Sequence, residues 1–412
     1  MRKMKNSGIK WIGEIPSEWK VIKCKHLIEV KSGDAIRNEL LSSNGKYQVF
    51  GGGEILGYTD VCNANESNLL IGRVGARCGC VTRPFDKVFA TDNALVVIPK
   101  SNRNFLYYVL ISFDLNRLNT SNAQPLITSS KVKNITIPVP LVTTQQKIAD
   151  FLDKKCSEID SSISKTRETI EEYKKLKQSI ITEAVTKGLN PNAKMKNSGI
   201  EWIGEIPESW EVNTIKYCSW LKGRIGWDGL KSTEYTDEGP FLITGTDFNK
   251  GIIKWNSCVH ITKERFEEDI ALHIVEDDLL ITKDGTVGKV AIVKNCPQEV
   301  SLNSGVLLIR NIRDYKYDSK YMYYILNSNQ FLLWFQLSQS GQSTIKHLYQ
   351  EQFYQFKFSY PPISEQQQIA DYLDQKCSEI DALITKKEQL VAELEAYKKS
   401  LIYEVVTGKR EV

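Results

Sequence analysis

Nowhere in the 412 residues does an apolar run approach the ~20 residues that a membrane-spanning helix needs. The first ten residues, MRKMKNSGIK, contain no apolar core of a secretory leader. A cytoplasmic protein without membrane contact is the expectation. The nine cysteines are odd in number and include no C-x-x-C pair, and only Cys78 and Cys80 lie close together. The four histidines build no ligand set with them, so no metal site is expected and the thiols read as reduced. Catalytic signatures are missing as well. Gly51, Gly52, Gly53 and Gly57 lack G-x-G-x-x-G spacing, and residues 285–289 lack the length and the Ser/Thr of a phosphate-binding loop. There is no nucleophile elbow, and neither NPN at 190–192 nor YPP at 360–362 matches an N/D-P-P-Y/F tetrapeptide. These absences point away from an enzyme and from any cofactor held by this chain.

What the chain does contain is a duplication. MKNSGIKWIGEIP at 4–16 returns as MKNSGIEWIGEIP at 195–207, and QQKIADFLDKKCSEID at 145–160 returns as QQQIADYLDQKCSEID at 366–381. Such a long period excludes a solenoid and indicates two copies of one module. The second pair is offset by about thirty residues more than the first, so the second variable part is longer.

Each later repeat opens a long helix. Pro138 and Pro140 precede the first and Pro361 and Pro362 the second, and proline stops at a helix entry. Thr143 with Gln146, and Ser364 with Gln367, have capping-box spacing. No Gly or Pro follows until Gly188 and Gly408, which allows helices of about 44 residues. Apolar positions step by four and three through Ile148, Leu152, Cys156, Ile159, Ile163, Thr166, Ile170, Tyr173, Lys177, Ile180 and Ala184. The second helix has Ile369, Leu373, Cys377, Ile380, Ile384, Lys387, Val391, Leu394, Lys398, Leu401 and Val405 in the same register. A 3.5-residue period with matched polar interruptions predicts that the two pair as a coiled coil. Twofold repetition makes that pairing antiparallel. The junction AVTKGLNPNAKMKNSGI resembles the C-terminal VVTGKREV joined to the N-terminal MRKMKNSGI, so the repetition is cyclic and the termini should lie together. A circular permutant opened near Asn190 is expected to fold, and its aggregation would contradict the cyclic reading.

The variable parts share a pattern rather than an identity. LLIGRVGARCGCV at 69–81 and LLITKDGTVGKVAIV at 279–293 are each strand, Gly-rich basic turn, strand. Each is followed by a further strand, an aromatic helical stretch (105–110 and 321–326) and a polar loop (119–134 and 338–347). The fold class expected is α+β: two globular domains, 1–142 and 191–363, separated by helices within 143–190 and 364–412, with pseudo-twofold symmetry. Charge distinguishes the domains. Residues 1–142 carry 19 Lys/Arg against 11 Asp/Glu, whereas 195–363 carry 18 against 21. The first therefore has the stronger footprint for phosphates.

WIGEIPxxW in each half, the Gly-rich basic turn, the Gln/Ser-rich loop, the Pro-bounded QQ-x-IA-x-x-LD helix and the duplication resemble the DNA specificity subunit of type I restriction–modification enzymes, over nearly the whole chain. The resemblance implies two target-recognition domains, each reading one half of a bipartite, asymmetric site in double-stranded DNA. The helices would set the spacer and dock two methyltransferase subunits, with Ile148, Leu152, Ile159, Ile163, Ile170, Ile369, Leu373, Ile380, Ile384 and Leu394 in the coiled coil. Restriction subunits can join that core. The assembled complex would be a restriction endonuclease and adenine-N6 DNA methyltransferase, with S-adenosylmethionine in the methyltransferase partner and ATP and Mg in the restriction partner. The DNA-contact candidates, from exposed polar turns, are Arg73, Arg77, Gln124, Ser129 and Lys131 in the first domain. Lys283, Thr286, Lys289, Gln342, Ser343 and Lys346 are those in the second; Arg, Lys and Gln carry the donors and acceptors that read phosphates and base edges. A non-catalytic coiled-coil scaffold that binds proteins rather than DNA is the alternative.

Overall fold

The structure, a computed structural model, describes residues 2–118, 126–224, 230–312, 317–339 and 347–412. It divides into two compact units, Met1–Glu168 with Lys387–Val412 (unit 1) and Thr169–Lys386 (unit 2). The division falls inside both long helices, Val142–Lys187 and Ile363–Val406. Each unit thus holds one globular part, the first portion of one helix and the last portion of the other.

In unit 1 a four-stranded antiparallel sheet has the order Ile28–Ser32, Ala94–Pro99, Leu69–Gly72, Val81–Thr82. Its central strands read as nearly continuous apolar runs because both faces are covered: Leu69, Leu70, Ile71, Leu95, Val96 and Val97 are all buried. A second sheet pairs Tyr47–Gly51 antiparallel with Glu54–Thr59 and parallel with Val88–Ala90. Unit 2 repeats the plan. Ser219–Gly223, Val306–Asn311, Leu279–Thr282 and Val290–Ile292 take the corresponding places, and Ile252–Ile253 and Phe248–Asn249 extend that sheet to six strands. These two added strands and the helix Lys263–Glu267 use part of the extra length of the second copy, whereas Val259–His260 pairs with Thr236–Ile243 as Glu54–Thr59 pairs with Tyr47–Gly51.

The heptad stripe is the helices' inner face. Ile148, Leu152, Ile159, Ile163, Ile170, Ile369, Leu373 and Ile380 are buried, as are Cys156, Thr166, Cys377 and Val391, while Ile384 and Leu394 are half-buried. Direction follows from the cross-helix ion pairs. In unit 1, Asp160 bonds Lys398 at 2.6 Å and Arg167 bonds Glu395 at 2.7 Å, so one helix ascends as the other descends. In unit 2, Lys177 bonds Asp381 at 2.7 Å. Lys177–Asp381 and Lys398–Asp160 are the same pair with the repeats exchanged. The antiparallel coiled coil expected from periodicity is present.

The helix entries differ from the expectation. Thr143 and Ser364 lie inside the first turn rather than at a cap. Gln146 accepts from Asn102 and donates to Asp150 instead of closing a capping box. The entry is held by the preceding glutamine of each pair. Gln145 Nε2 donates to Pro140 O at 3.0 Å and Gln366 Nε2 to Pro361 O at 2.9 Å, both buried. A proline-bounded entry buried against the domain leaves carbonyls that water cannot reach, and these amides satisfy them.

The helix exits explain the first repeat. Gly188 and Gly408 end the helices at φ +73° and +72°, a conformation suited to glycine. A Cβ on Gly188 would stand 3.1 Å from the Trp210 ring, and one on Gly408 would stand 2.4 Å from Pro16 Cδ and 3.1 Å from the Trp19 ring. Within unit 2 the second WIGEIPESW segment therefore closes on the end of the central helix. Within unit 1 the first such segment closes on the end of the C-terminal helix, and the cyclic repetition is realised in space.

All nine cysteines are free. Burial pushes the Cys24, Cys218 and Cys258 thiols up to about 12, whereas Cys62 and Cys80 are exposed. Because the thiolate is the reactive form, native alkylation at pH 8 is expected to label Cys62 and Cys80 first. Mass spectrometry showing equal labelling of Cys24 would contradict this burial.

Candidate nucleic-acid interface

In each unit a basic turn links two paired core strands and meets neighbouring loops at one end of the sheet. In unit 1 the turn over residues 73–80 is pinned at both ends. Gly79 N donates to Gly72 O at 2.8 Å, and Arg73 N and Gly52 N both donate to Asn93 O at 3.1 Å. The turn also holds residues within the expected polar loop: Ile127 N donates to Arg73 O at 2.9 Å, and Val74 bridges Leu126. Gly53 has to be glycine here, with φ +103° and an ideal Cβ only 2.7 Å from Arg77 Cβ.

The first-domain candidates separate by role. Arg77 is exposed at the tip of the turn. Arg73 is half-buried, and its guanidinium donates to Ser32 Oγ (3.0 Å) and Asp92 O (3.3 Å), so it braces the loops. Ser129 and Lys131 sit on the short helix Ser129–Lys133, capped by Thr128, and Lys131 Nζ donates to Leu118 O at 2.9 Å. That helix follows Ile127 directly, which brings it beside the turn.

Unit 2 repeats this geometry with different letters. Lys283 N donates to Gly305 O, and Leu348 N donates to Lys283 O at 3.0 Å, as Ile127 does to Arg73. Thr282 Oγ1 donates to Thr286 O at 2.5 Å and accepts from Lys289 N at 3.0 Å, which closes the turn and leaves the Thr286 and Lys289 side chains exposed. Lys283 is turned inward onto Arg224 O at 3.2 Å, and burial lowers its pKa. His347 pairs with Asp284 at the edge of the turn. Gln124, Gln342, Ser343 and Lys346 lie outside the described residues.

The arrangement presents donors on a rigid edge. Arg77 in one unit and Thr286 and Lys289 in the other project from turns pinned by several backbone hydrogen bonds, whereas the Arg73 and Lys283 side chains bond to neighbouring loops. Sequence reasoning missed Asn303, whose side chain orders the edge in unit 2: its Oδ1 accepts from Leu230 N at 3.1 Å and Ser304 N at 2.7 Å. Asparagine in a turn between strands was the available signal. Among the described residues no group of three or more His, Cys, Asp or Glu could hold a metal, and no helix is long and apolar enough to cross a membrane.

Comparison with known proteins gives the same picture. The chain is 26% identical over 441 aligned positions to the MjaX type I restriction enzyme specificity subunit assigned in Methanocaldococcus jannaschii, covering 97% of this chain and 96% of that protein. It is 36% identical over 110 residues to the EcoprrI type I restriction enzyme specificity subunit of Escherichia coli, covering 26% and 27%. A solved chain from work on complex assembly and conformational transition of the type I R-M system superposes with a TM-score of 0.70 at 14% identity, covering 96% of this chain and 99% of that one, which is a likeness of fold. Residues 16–172 and 213–394 match the family described as the type I restriction modification DNA specificity domain, and with both matches spanning most of the sequence, the chain belongs to that family.

Proposed function

We propose that this chain selects the DNA site of a type I restriction–modification complex, each unit reading one half of a bipartite, asymmetric site. The observation that carries the proposal is the pairing of a repeated frame with unlike turns. Arg77 stands in one place where Thr286 and Lys289 stand in the other, while helix exits, helix pairing and turn anchoring are duplicated. Unlike readers on a like frame specify a site that is not a palindrome. The helices fix the spacer, and two weak half-site contacts add when the spacing fits. Catalysis belongs to partners: two methyltransferase subunits docked on equivalent surfaces, carrying S-adenosylmethionine and flipping the target adenine, with restriction subunits supplying ATP- and Mg-dependent steps where they are present. A protein-binding scaffold is not favoured, because the DNA specificity match spans both units.

The test is methylation of a randomised duplex pool by the complex assembled with methyltransferase subunits. Two short half-sites around a fixed spacer are expected. Arg77→Ala should weaken selection at one half-site by about 1–3 kcal/mol if it meets a base edge, and leave the other half-site unchanged. Equal loss at both half-sites, or no loss, overturns the Arg77 assignment; a wild-type complex that selects no sequence overturns the reading itself.

A further inference from the structure

Asp153 and Asp374 hold the same place in the two copies of the repeated helix, and each faces the aromatic helix of its own unit. Asp374 accepts from Lys320 Nζ at 2.5 Å and Tyr324 Oη at 2.6 Å, both on the helix Ser319–Leu326. Asp153 does more. Its Oδ1 accepts from Tyr108 Oη at 2.7 Å and Arg83 Nη1 at 2.6 Å, and its Oδ2 from Asn104 Nδ2 at 3.0 Å. Tyr108 and Asn104 lie on the helix Arg103–Phe113, but Arg83 follows directly on the strand Val81–Thr82.

That strand is one arm of the hairpin that carries the basic turn. It pairs Val81 with Ile71 and Thr82 with Leu70, and the other arm ends at Gly72 beside Arg73. Arg103 holds the base of both arms, donating to Asn68 O at 3.1 Å and Pro84 O at 2.8 Å. The Arg83 guanidinium lies over Tyr107 (4.1 Å) and Tyr108 (5.2 Å), so its direction is fixed on two sides. Burial is the largest single influence and disfavours the charge on Arg83, but the hydrogen bond to Asp153 together with the electrostatic pull of Asp153, Tyr108 and Tyr107 outweighs it, and the pKa is raised. In unit 2, among the described residues, the corresponding strand Val290–Ile292 sends no such bond to Asp374; the nearby Lys294 pairs with Asp277 instead.

We infer that Asp153 is a positioning residue for DNA reading. Through Arg83 it sets the recognition hairpin of unit 1 on the central helix, and Asp374 has no such role for the hairpin of unit 2. The inference rests on the proposed reading of one half-site by unit 1. A hairpin fixed at its base presents Arg77 at a fixed height and angle, and a base-edge contact is lost by displacements of about an ångström.

The experiment uses the full chain assembled with its methyltransferase subunits and a randomised duplex pool. Asp153→Asn keeps the shape but removes the charge that holds Arg83. It is expected to lower discrimination at the half-site read by unit 1 about tenfold, with the second half-site and the melting temperature nearly unchanged. Arg83→Met should give the same loss, the double variant no further loss, and Arg83→Lys a partial recovery. Asp374→Asn should leave discrimination at both half-sites intact. If Asp153→Asn lowers stability with selectivity preserved, or weakens both half-sites equally, Asp153 is only structural and the inference is overturned. Should Arg83→Met fail to fold, Asp153→Asn and Tyr108→Phe decide alone. A wild-type complex that selects no bipartite site defeats the underlying reading, and is seen before any variant is made.

Discussion

Trp210→Ala is expected to destabilise unit 2 by about 3–5 kcal/mol, the range for removing a fully buried tryptophan. Trp210 is completely buried, its ring lies against the end of the central helix at Gly188, and its Nε1 donates to Glu365 Oε2 at 2.9 Å. Truncation opens a cavity in the apolar core of unit 2 and removes the donor from a carboxylate near the start of the C-terminal helix. Trp19→Ala should do the same in unit 1, where the ring lies under Gly408 and Arg2 stands 5.7 Å from its centre. The loss is local, so hydrogen exchange is the appropriate measurement alongside denaturation. Trp210→Ala should expose amides of 195–215 and of the central helix end while 4–24 stay protected, and Trp19→Ala should give the converse. Equal loss of protection in both units would mean that these segments do not close their own helix ends.

The parts of this fold that were legible in the sequence are those ruled by period and by backbone need. Ile148, Leu152 and Ile159 announce their face by spacing, and Leu69–Gly72 and Leu279–Thr282 by continuous apolar content before a glycine turn. Roles that depend on tertiary partners were not legible. Asp153 and Asp374 carry no local sign of their role, because nothing nearby in the sequence tells that Tyr108 and Tyr324 lie opposite. Gln145 and Gln366 were passed over for the capping-box spacing of Thr143 and Ser364, since that pattern is scored along the chain and the buried Pro140 and Pro361 carbonyls are not visible there. Arg73 and Lys283 looked equivalent to Arg77 and Lys289, because residue type alone does not say which cation turns inward.

Leu152→Ala and Leu373→Ala should separate the helix stripe's apolar positions from its charged interruptions. Both leucines are completely buried at the foot of their helices, and each truncation is expected to cost about 2–5 kcal/mol. Lys177→Ala and Lys398→Ala occupy the same stripe further along, but their ion pairs with Asp381 and Asp160 are half-exposed and should cost no more than about 1 kcal/mol each. The lysines act on register instead. A slide of one helix by a heptad keeps leucine and isoleucine on the inner face but takes both lysines away from both aspartates at once, so the pairs penalise slipped states more than they stabilise the native one. Lys177→Leu with Lys398→Leu should therefore hold or raise the denaturation midpoint while broadening the set of cysteine pairs that crosslink between engineered positions on the two helices. A double variant that loses several kcal/mol, or that crosslinks only in the native register, would show that the lysines serve stability and that the apolar stripe alone sets the register.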